Sequence, residues 1–393
     1  MSSGEQQVAP HDVWAEIDLK EISHNIREIK RILAPGARLM AVVKANAYGH
    51  GVLEVTGQAI SAGADALGVA RISEAVQIRK GGFDAPILIF GHTPQALAPM
   101  LMDYDLTQSI WSRETAAVLS QTARSENAKI KVHINIDTGM GRLGIMPCDL
   151  TQPYSPGHIS KDAVKTVEAI HRLQGLDIKG IYTHFASADE ADKRSTIRQF
   201  KIFNEFVERL KQKGIEFQIC HAANSAAILD MPETHLDMVR AGISIYGYYP
   251  SQSVNRDKIA LRPALTLKSR IIHLKKVGAR FRVSYGGTEE TLHPTTIATV
   301  SVGYADGYSR RLSSKGEMMI GGCLAPVIGR VCMDQTMLNV GHLPDVRVGD
   351  EVVVLGSREN SPIAADEIAK LLNTISYEVL TSISHRVART YRR

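Results

Sequence analysis

The sequence is poor in several features that would assign it to a special class of protein. Its 393 residues include four cysteines and two tryptophans, and aromatic side chains make up 6% of the chain. No uninterrupted apolar run approaches the roughly 18 residues that a membrane-spanning helix requires. The N-terminus lacks a basic segment followed by an apolar one, so no signal peptide is recognised. These absences predict a cytoplasmic protein without membrane association.

The cysteines are too widely spaced to form a CxxC motif or a zinc ribbon. They are Cys148, Cys220, Cys323 and Cys332. In a chain of this size they are expected to be reduced, mostly buried thiols. No metal site is therefore predicted.

Neither sign of charge dominates the chain. It has 46 lysines and arginines against 41 aspartates and glutamates, a net charge of +5. The basic excess lies beyond Ala260, where 18 basic residues stand against 12 acidic ones. The last eight residues contain four arginines, but apolar residues are interleaved with them. So short a basic tail is a weak indication of nucleic-acid binding, which we do not predict.

Two patterns of apolar residues divide the chain. Between Leu39 and Gly247, short β-type apolar runs alternate with amphipathic helical segments. Eight such runs are present, at 39–44, 66–70, 87–91, 105–110, 129–137, 176–185, 216–222 and 237–247. Eight strand-then-helix units predict a (β/α)₈ TIM-type barrel rather than an open doubly wound sheet.

After about residue 260 the pattern changes to β-rich segments separated by Gly, Pro and Asp turns. Helical periodicity returns only near the end, in PIAADEIAKLLN. We therefore predict a barrel domain over 12–260 and a C-terminal, mostly β-strand domain over 261–393 that also takes up residues 1–11. Because no low-complexity linker separates them, the two domains are expected to share a close interface.

Polar residues cluster where the barrel strands are predicted to end, which is where enzymes of this architecture place their chemistry. They are Lys44, Tyr48, Arg142, His184, Asn224, Ser225, Arg240 and Gly242. Each has a simple structural explanation when taken alone, such as a surface lysine, a core histidine or a helix cap. Their convergence on one rim favours an active site.

Lys44 is the most informative of these residues because it follows an apolar run at 39–43. A desolvated lysine has a lowered pKa and becomes a nucleophilic amine that can form a Schiff base. The alternative is a lysine that extends its amine from the barrel rim into water. The NAYGHG segment that follows offers the Tyr48 hydroxyl and backbone amides to a phosphate.

The string DTGMGRLG has the spacing Gly139-x-Gly141-x-x-Gly144 of a dinucleotide-binding fingerprint. Its context argues against that interpretation. Pro147 lies where the helix of such a motif should continue, and no conspicuous acidic residue follows about 20 residues later. Arg142 in this loop is better suited to holding an anion.

Longer strings resemble those of alanine racemases, enzymes that use pyridoxal 5'-phosphate (PLP) and combine a barrel with a β domain. The matching strings are AVVKANAYGHG, DTGMGRLGI, GIYTHFASAD, HAANSAA, MVRAGISIYG, VSYGGT, SVGYADGYSRRL, GRVCMDQ and YEVLTSIS. The site residues that they contain extend from Lys44 to Tyr377, and together the strings are highly specific. The resemblance implies an isomerase with a small-molecule substrate. It would interconvert L- and D-alanine and supply D-alanine for peptidoglycan.

The resemblance also implies two catalytic residues. Lys44 would bind PLP as a Schiff base and serve as one acid/base group, while Tyr285 would act on the opposite face of the substrate Cα. In this family the tyrosine comes from the partner subunit of a homodimer, so the active sites are shared. Removing a proton from one face and returning it to the other requires two such groups. Tyr285, with an ordinary pKa of about 10, would need a cationic neighbourhood from His184 and Arg240.

Cofactor-binding roles follow from the same resemblance. The residues implied to hold the phosphate are Tyr48, Ser225, Gly242, Ile243 and Tyr377, with Asn224 beside them. Arg240 would face the pyridine nitrogen, and His184 would link it to Tyr285. Because arginine keeps its proton, the ring nitrogen would stay largely unprotonated, which favours racemisation over transamination.

The substrate carboxylate is implied to lie between Arg142 and the backbone amide of Met333, while Tyr304 and Tyr377 narrow the access to the site. One position departs from the family pattern. Just before DTGMGR many members carry a lysine, modified to a carbamate, that orients the substrate-binding arginine; here the residue is Asn135. A neutral amide lacks that charge, so we expect Asn135 to hydrogen-bond Arg142 directly or to help bind an anion such as chloride.

Three alternatives stand beside alanine racemisation. A racemase of the same architecture acting on serine or on a broader set of amino acids is the nearest, although the bulky Tyr304 and Tyr377 favour a small side chain. A decarboxylase of the same fold would use an acidic residue at the pyridine nitrogen, where Arg240 stands. A non-catalytic PLP carrier would lack the β domain and Tyr285.

Overall fold

The computed structural model describes residues 11–153, 155–356 and 361–393. The chain divides into two compact units. The first, called the barrel unit, consists of Glu21–Ala47 and Val52–Leu261. The second, called the β unit, consists of the described residues up to Lys20, together with Tyr48–Gly51 and Arg262–Arg393.

The described chain begins with strand β1 (Val13–Asp18) and helix α1 (Leu19–Arg31). Eight strands then follow within the barrel unit, and each coincides with one of the predicted apolar runs. They are β2 (Arg38–Val42), β3 (Ala66–Val69), β4 (Ile87–Ile89), β5 (Thr107–Ile110), β6 (Ile130–Ile136), β7 (Leu176–Thr183), β8 (Ile219–His221) and β9 (Met238–Ala241).

These strands form one parallel sheet in the order β8-β7-β6-β5-β4-β3-β2-β9. Backbone bonds also join the two outer strands, because Asp237 N donates to Cys220 O over 3.1 Å and Arg240 N donates to Ala223 O over 3.0 Å. These bonds close the sheet. Strands such as β3 and β4 are buried throughout, which explains their continuous apolar sequences. The predicted barrel is confirmed.

Helices separate the strands along the chain. They are α2 (Lys44–Tyr48), α3 (Val52–Ser61), α4 (Ile72–Lys80), α5 (Pro99–Asp103), α6 (Arg113–Ser125), α7 (Lys161–His171), α8 (Arg194–Lys211) and α9 (Ser225–Asp230). The buried residues Ile202, Phe206 and Leu210 of α8 recur every four residues and so form one apolar face. Among the described residues, no helix combines the length and apolarity needed to cross a membrane.

The β unit is built mainly of antiparallel strands, as predicted. Its elements beyond β1 are β10 (Leu265–Val277), β11 (Arg282–Val283), β12 (Glu289–Glu290), β13 (Thr295–Val300), β14 (Glu317–Ile320), β15 (Cys323–Pro326), β16 (Thr336–Asn339), β17 (Glu351–Leu355), α10 (Ala365–Leu372), α11 (Ser376–Thr381) and β18 (Ala388–Arg392). The main sheet has the order β15-β14-β17-β10-β1-β18, with β13 joining β10 to β16. A small hairpin pairs β11 with β12.

Strand β1 lies in the sheet of the β unit, although we expected residues from 12 onward to belong to the barrel. It pairs antiparallel with β10 and parallel with β18. Trp14, Ala15 and Ile17 are buried there. Residues 1–10 of the segment that we assigned to the β domain lie outside the described residues.

The arginines near the C-terminus pair with groups of the same unit. Arg386 donates to the carboxylates of Asp306 and Asp334, each over 2.7 Å. Arg392 pairs with Glu16 over 2.9 Å. Arg389 donates to four backbone carbonyl oxygens, three of them between residues 383 and 387. Three of the four arginines in the basic tail are therefore paired within the β unit.

Candidate active site

The predicted residues of the barrel unit lie at the C-terminal ends of its strands. Lys44 follows β2, Arg142 lies in the loop after β6, and His184 follows β7 directly. Asn224 and Ser225 follow β8, Arg240 lies near the end of β9, and Gly242 and Ile243 come next. Because parallel strands end on the same side of a barrel, these side chains occupy one rim.

Lys44 is half-buried at this rim. Burial lowers the pKa of its amine, the positive charge of Arg142 lowers it further, and the carboxylate of Glu74 acts in the opposite direction. Glu74 also accepts a hydrogen bond from Ala45 N over 2.6 Å. The amine is thus held uncharged more readily than that of an ordinary lysine.

The short element α2 that begins at Lys44 is a left-handed turn and not a right-handed helix. Ala45, Asn46, Ala47 and Tyr48 all have φ values between 51° and 53°. For residues other than glycine this conformation costs about 1–2 kcal/mol each, and such strain concentrates at functional sites. Surrounding contacts stabilise it, including a hydrogen bond from Val52 N to Asn46 Oδ1 of 2.9 Å.

Ser225 forms a small polar cradle with the loop after β9. Its Oγ accepts hydrogen bonds from Gly242 N and from Ser244 Oγ, both over 2.9 Å. Asn224 caps α9 by accepting from Ala226 N and Ala227 N, which fixes the start of that helix. The Ser225 hydroxyl has used both acceptor positions, so its own proton is left to donate.

Arg240 is buried and surrounded by uncharged acceptors. Its guanidinium donates to His221 Nδ1, Thr183 O and Ala222 O, each over 2.8 Å, and it lies 3.2 Å from His184 Nδ1. Burial lowers the pKa of Arg240 to about 10, so it remains a cation at neutral pH. Among its hydrogen-bond partners in the described chain, none is a carboxylate.

His184 does not supply the positive charge that we expected near Tyr285. Burial, followed by the charges of Arg240, Arg142 and Lys44, lowers the pKa of His184 well below its ordinary value. The imidazole is therefore neutral, because a second cation beside the guanidinium of Arg240 would be repelled. Of the two residues proposed as cations, only Arg240 carries a charge.

The DTGMGR loop is organised by Asp137. Its Oδ1 accepts from the amides of Gly139, Met140 and Gly141 over 2.9–3.1 Å, and its Oδ2 accepts from Arg142 N over 3.2 Å. These are the amides that a dinucleotide phosphate would need. The loop therefore positions Arg142 and does not serve as a dinucleotide-binding motif.

Asn135 binds the same loop at the residue after Arg142. Its Nδ2 donates to Leu143 O over 3.0 Å, and its backbone carbonyl accepts from Ile145 N over 2.9 Å. The side-chain amide is thus engaged with the loop backbone, and no Asn135–Arg142 side-chain hydrogen bond is recorded among the described residues. The alternative role, in binding an anion, stays a prediction.

In the β unit the structure brings Tyr48 and Tyr377 together. Their rings lie 5.9 Å apart, tilted by 51°. Arg389 Nε donates to Gly49 O over 3.2 Å and so ties the Tyr48 segment to the end of the chain. Burial raises the pKa of Tyr48, which keeps its hydroxyl protonated.

A second group in the β unit contains Tyr285, Met333 and Tyr304. Tyr285 and Met333 line one cavity of about 750 Å³ and are 66% and 52% exposed. Tyr304 N donates to Cys332 O over 3.0 Å, which sets it beside Met333. Tyr285 follows Ser284, whose φ of 63° is strained for a serine. The site residues thus form groups within each of the two units.

Several polar residues at the rim and in the interior of the barrel unit went unrecognised in the sequence. They are Glu74, His133, Asp137, Tyr182 and His221. His133 and Asn135 alternate along β6, and alternate residues of a barrel strand face its interior. Polar residues at that spacing, in a strand whose other residues are apolar except for Lys131, were the one sequence feature that pointed to an interior polar network.

Fold and site together define a barrel enzyme with an added β domain and a half-buried lysine of lowered pKa at the barrel rim. Residues 17–250 match the family described as alanine racemase, N-terminal domain, and residues 264–391 match alanine racemase, C-terminal domain. The chain belongs to the alanine racemase family, whose members are isomerases.

Individual relatives agree with this assignment. The alanine racemase of Desulfosudis oleivorans is 52% identical over 380 residues, 96% of each chain. That of Methanococcus maripaludis is 44% identical over 97% of this chain and 99% of its own. Among solved structures, alanine racemase of Clostridium difficile 630 has a TM-score of 0.91 at 39% identity, covering 98% of this chain and 97% of that one. Alanine racemase from Bacillus anthracis with bound L-Ala-P has a TM-score of 0.88 at 35% identity, covering 98% and 96%.

Proposed function

We propose that this chain catalyses the PLP-dependent interconversion of L- and D-alanine and supplies D-alanine for peptidoglycan. The observation that carries the proposal is the half-buried Lys44 amine with a lowered pKa, on the rim that also holds Ser225 and Arg240. Membership of the alanine racemase family supports the same activity. The cytoplasmic location stays a prediction.

The side chains at this rim fit the cofactor. An aldehyde needs an unprotonated amine, and burial favours that form of Lys44. A phosphate needs donors, and the Ser225 hydroxyl has a proton to give beside the backbone of Gly242 and Ile243. A ring nitrogen needs a donor too, and Arg240 is a buried cation with uncharged partners only. PLP would be held by these five residues.

The remaining cofactor residues would complete the binding site. Tyr48 and Tyr377 would offer their hydroxyls to the phosphate, which is supported by the proximity of their rings. Asn224 would act through the helix start that it caps. His184 would orient the Arg240 guanidinium as a neutral acceptor.

When bound, PLP supplies a ring that accepts electrons from the substrate Cα and so makes its proton more acidic. The protein has to bind the substrate and move that proton. Lys44 Nζ would take or return it on one face, and Tyr285 Oη would do so on the other. Arg142 and the Met333 amide would hold the substrate carboxylate, and Tyr304 would restrict access to small side chains.

We propose a homodimer in which Tyr285 of one chain serves the barrel of its partner. The exposure of Tyr285 and Met333 in the single chain supports this arrangement, because a proton-transfer group works best when shielded from bulk water. The functional boundary would lie near residue 260, with the barrel binding the cofactor and the C-terminal domain supplying Tyr285.

An assay of the purified protein against a panel of L-amino acids, with chiral analysis of the products, tests the proposal. Alanine should be racemised far faster than serine or larger amino acids, and the protein should show the visible absorbance of lysine-bound cofactor. Lys44→Ala should lose the racemase activity and the visible absorbance. Lys129→Ala, at an exposed lysine, should retain the activity and the absorbance. A PLP-loaded wild type that fails to racemise alanine, or that prefers serine, would contradict the proposal.

A further inference from the structure

A chain of buried polar side chains continues from Arg240 into the barrel interior. His221, on β8, lies with its Nδ1 2.8 Å from Arg240 Nη1. Its other nitrogen, Nε2, lies 2.9 Å from Nδ1 of His133 on β6. Both imidazoles are buried. Three barrel strands, β9, β8 and β6, thus contribute one continuous line of nitrogen atoms.

Both histidines are neutral. Burial and then the charge of Arg240 lower the pKa of His133 to about 3. The same two causes lower the pKa of His221 well below its ordinary value. A neutral imidazole has one N–H donor and one acceptor nitrogen, so each ring must choose which nitrogen carries the proton.

Only one arrangement of protons satisfies both contacts. A guanidinium can donate but not accept, so Nδ1 of His221 must be the acceptor toward Arg240. His221 therefore carries its proton on Nε2 and donates it to His133 Nδ1. His133 in turn carries its own proton on Nε2. Nδ1 of His133 thus provides the acceptor for the proton that His221 carries on the side away from Arg240.

The fold makes room for this contact with a glycine and an irregular register. Val132 pairs with Ile178 and His133 with Gly180, so the ladder between β6 and β7 shifts by one residue at this point. A Cβ at position 180 would lie 2.9 Å from Nδ1 of His133 and 2.7 Å from Ile219 O. A side chain at this position would therefore clash with the imidazole of His133 and with the Ile219 carbonyl.

The His221 ring is also held from its face. Tyr182 stacks on it with ring centres 4.7 Å apart and planes 15° apart. The Tyr182 hydroxyl lies 2.7 Å from Ser109 Oγ, which fixes the stacking ring in turn. Tyr182 thus fixes the position of the His221 ring. Arg240 and His133 fix which of its nitrogens carries the proton.

We propose that His133 is a positioning residue for Arg240, acting by holding His221 in the form whose Nδ1 accepts from the guanidinium. Every acceptor around the guanidinium is then uncharged, and its positive charge is left for the group that it faces at the rim. The identity of that group as the PLP ring rests on the proposed function. The placement of the protons on His221 and His133 does not depend on the proposed function.

Nitrogen-15 NMR of the holoenzyme, labelled in its histidine rings, reads the proton placement directly. His221 and His133 should each show a protonated Nε2 and an unprotonated Nδ1 throughout the neutral pH range. Resonances are assigned by substituting each histidine in turn. Finding wild-type His221 protonated on Nδ1, or on both nitrogens, would overturn the proposal whatever the variants do.

Two substitutions of His133 test its effect on the reaction. His133→Leu removes the acceptor at similar volume, and the buried Nε2–H of His221 is left without a partner. We expect kcat to fall about tenfold to a hundredfold with little change in KM, since an unpaired buried donor is costly. His133→Asn offers a carbonyl oxygen near the position of Nδ1 and should restore most of kcat and the wild-type His221 signals.

His235→Leu is the matched control. His235 is a buried histidine of the same unit that bonds the backbone at Ala34 and Ile228. Its loss should lower the melting temperature but leave kcat close to the wild-type value. A folded His133→Leu variant with wild-type kcat and unchanged His221 signals would refute the positioning role. If His133→Leu does not fold, the proposal is tested by the proton placement in the wild type and by the kcat and His221 signals of His133→Asn.

Failure of the proposed function gives a different result. A protein that racemises no amino acid could still show the expected protons on His221 and His133. Conversely, an active racemase with His221 protonated on Nδ1 would support the proposed function and contradict the positioning role of His133.

Discussion

The positive charge of Arg142 lowers the pKa of the Lys44 amine, in addition to the larger effect of burial. The two residues follow β2 and β6, which are separated by three other strands in the sheet order. Glu74 opposes this effect with a carboxylate on α4. The reactivity of the lysine is therefore adjusted by two charges of opposite sign.

The first prediction separates these two charges. Arg142→Gln should raise the pKa of Lys44, because a repelling cation is removed and the ammonium form is favoured. Glu74→Gln should lower it, because an attracting carboxylate is removed. The pH dependence of the rate at which Lys44 reacts with an aldehyde in the PLP-free protein measures the pKa, since only the free amine reacts.

The two variants should move the midpoint of that profile in opposite directions. Arg113→Gln, at an exposed arginine that starts α6, is the control and should leave the midpoint in place. Midpoints that move the same way in Arg142→Gln and Glu74→Gln would show that the two side chains act through packing and not through charge.

The barrel was predictable from the sequence because its strands are local features. Each buried parallel strand is a short apolar run, and each is followed by a helix with its own periodicity. β1 was not predictable in this way. Its partners, β10 and β18, lie about 250 and 370 residues away, and no local pattern specifies pairing at such separations.

The candidate site was predictable in its residue types but not in its electrostatics. Lys44 was recognisable because a charged residue ends an apolar run. The neutrality of His184 depends on its burial beside Arg240, which only the packed structure specifies. The role of Asp137 depends on a loop conformation in which four amides converge on one carboxylate.

The second prediction concerns Tyr285, the residue that we propose as the acid/base group on the face opposite Lys44. Tyr285→Phe should suppress the uptake of solvent deuterium from one alanine enantiomer far more than from the other, because only one face loses its acid/base group. Stability should change little, since the Tyr285 side chain is largely exposed in the single chain. The measurement is deuterium incorporation at Cα from each enantiomer. An equal loss from both would contradict two bases on opposite faces.

The third prediction tests whether sites are shared between chains. Lys44→Ala and Tyr285→Phe subunits should each be nearly inactive alone. In a mixed dimer, one site would combine an intact Lys44 with an intact Tyr285. A freely exchanged equal mixture should therefore recover about a quarter of wild-type activity, since about half the dimers are mixed and each has one active site. No recovery despite heterodimers detected by mass spectrometry would show that each chain uses its own tyrosine.

The last prediction concerns the loop that carries Arg142. Asp137→Asn keeps the shape of the side chain but removes its negative charge and one of its two acceptor oxygens. The four loop amides would then be less well satisfied, and hydrogen bonds to a charged acceptor are the stronger kind. We expect the free energy of unfolding to fall by about 1–3 kcal/mol.

Arg142 is proposed to bind the substrate carboxylate, so a loosened loop should weaken binding more than it slows proton transfer. KM for alanine should rise about tenfold with a smaller change in kcat, which is the pattern of lost uniform binding. Asp149→Asn is the control, because Asp149 is an exposed carboxylate that accepts from Thr151 in a nearby turn. If Asp137→Asn lowered kcat at unchanged KM, Asp137 would act on the proton transfer itself, and the loop would have a role beyond presenting Arg142.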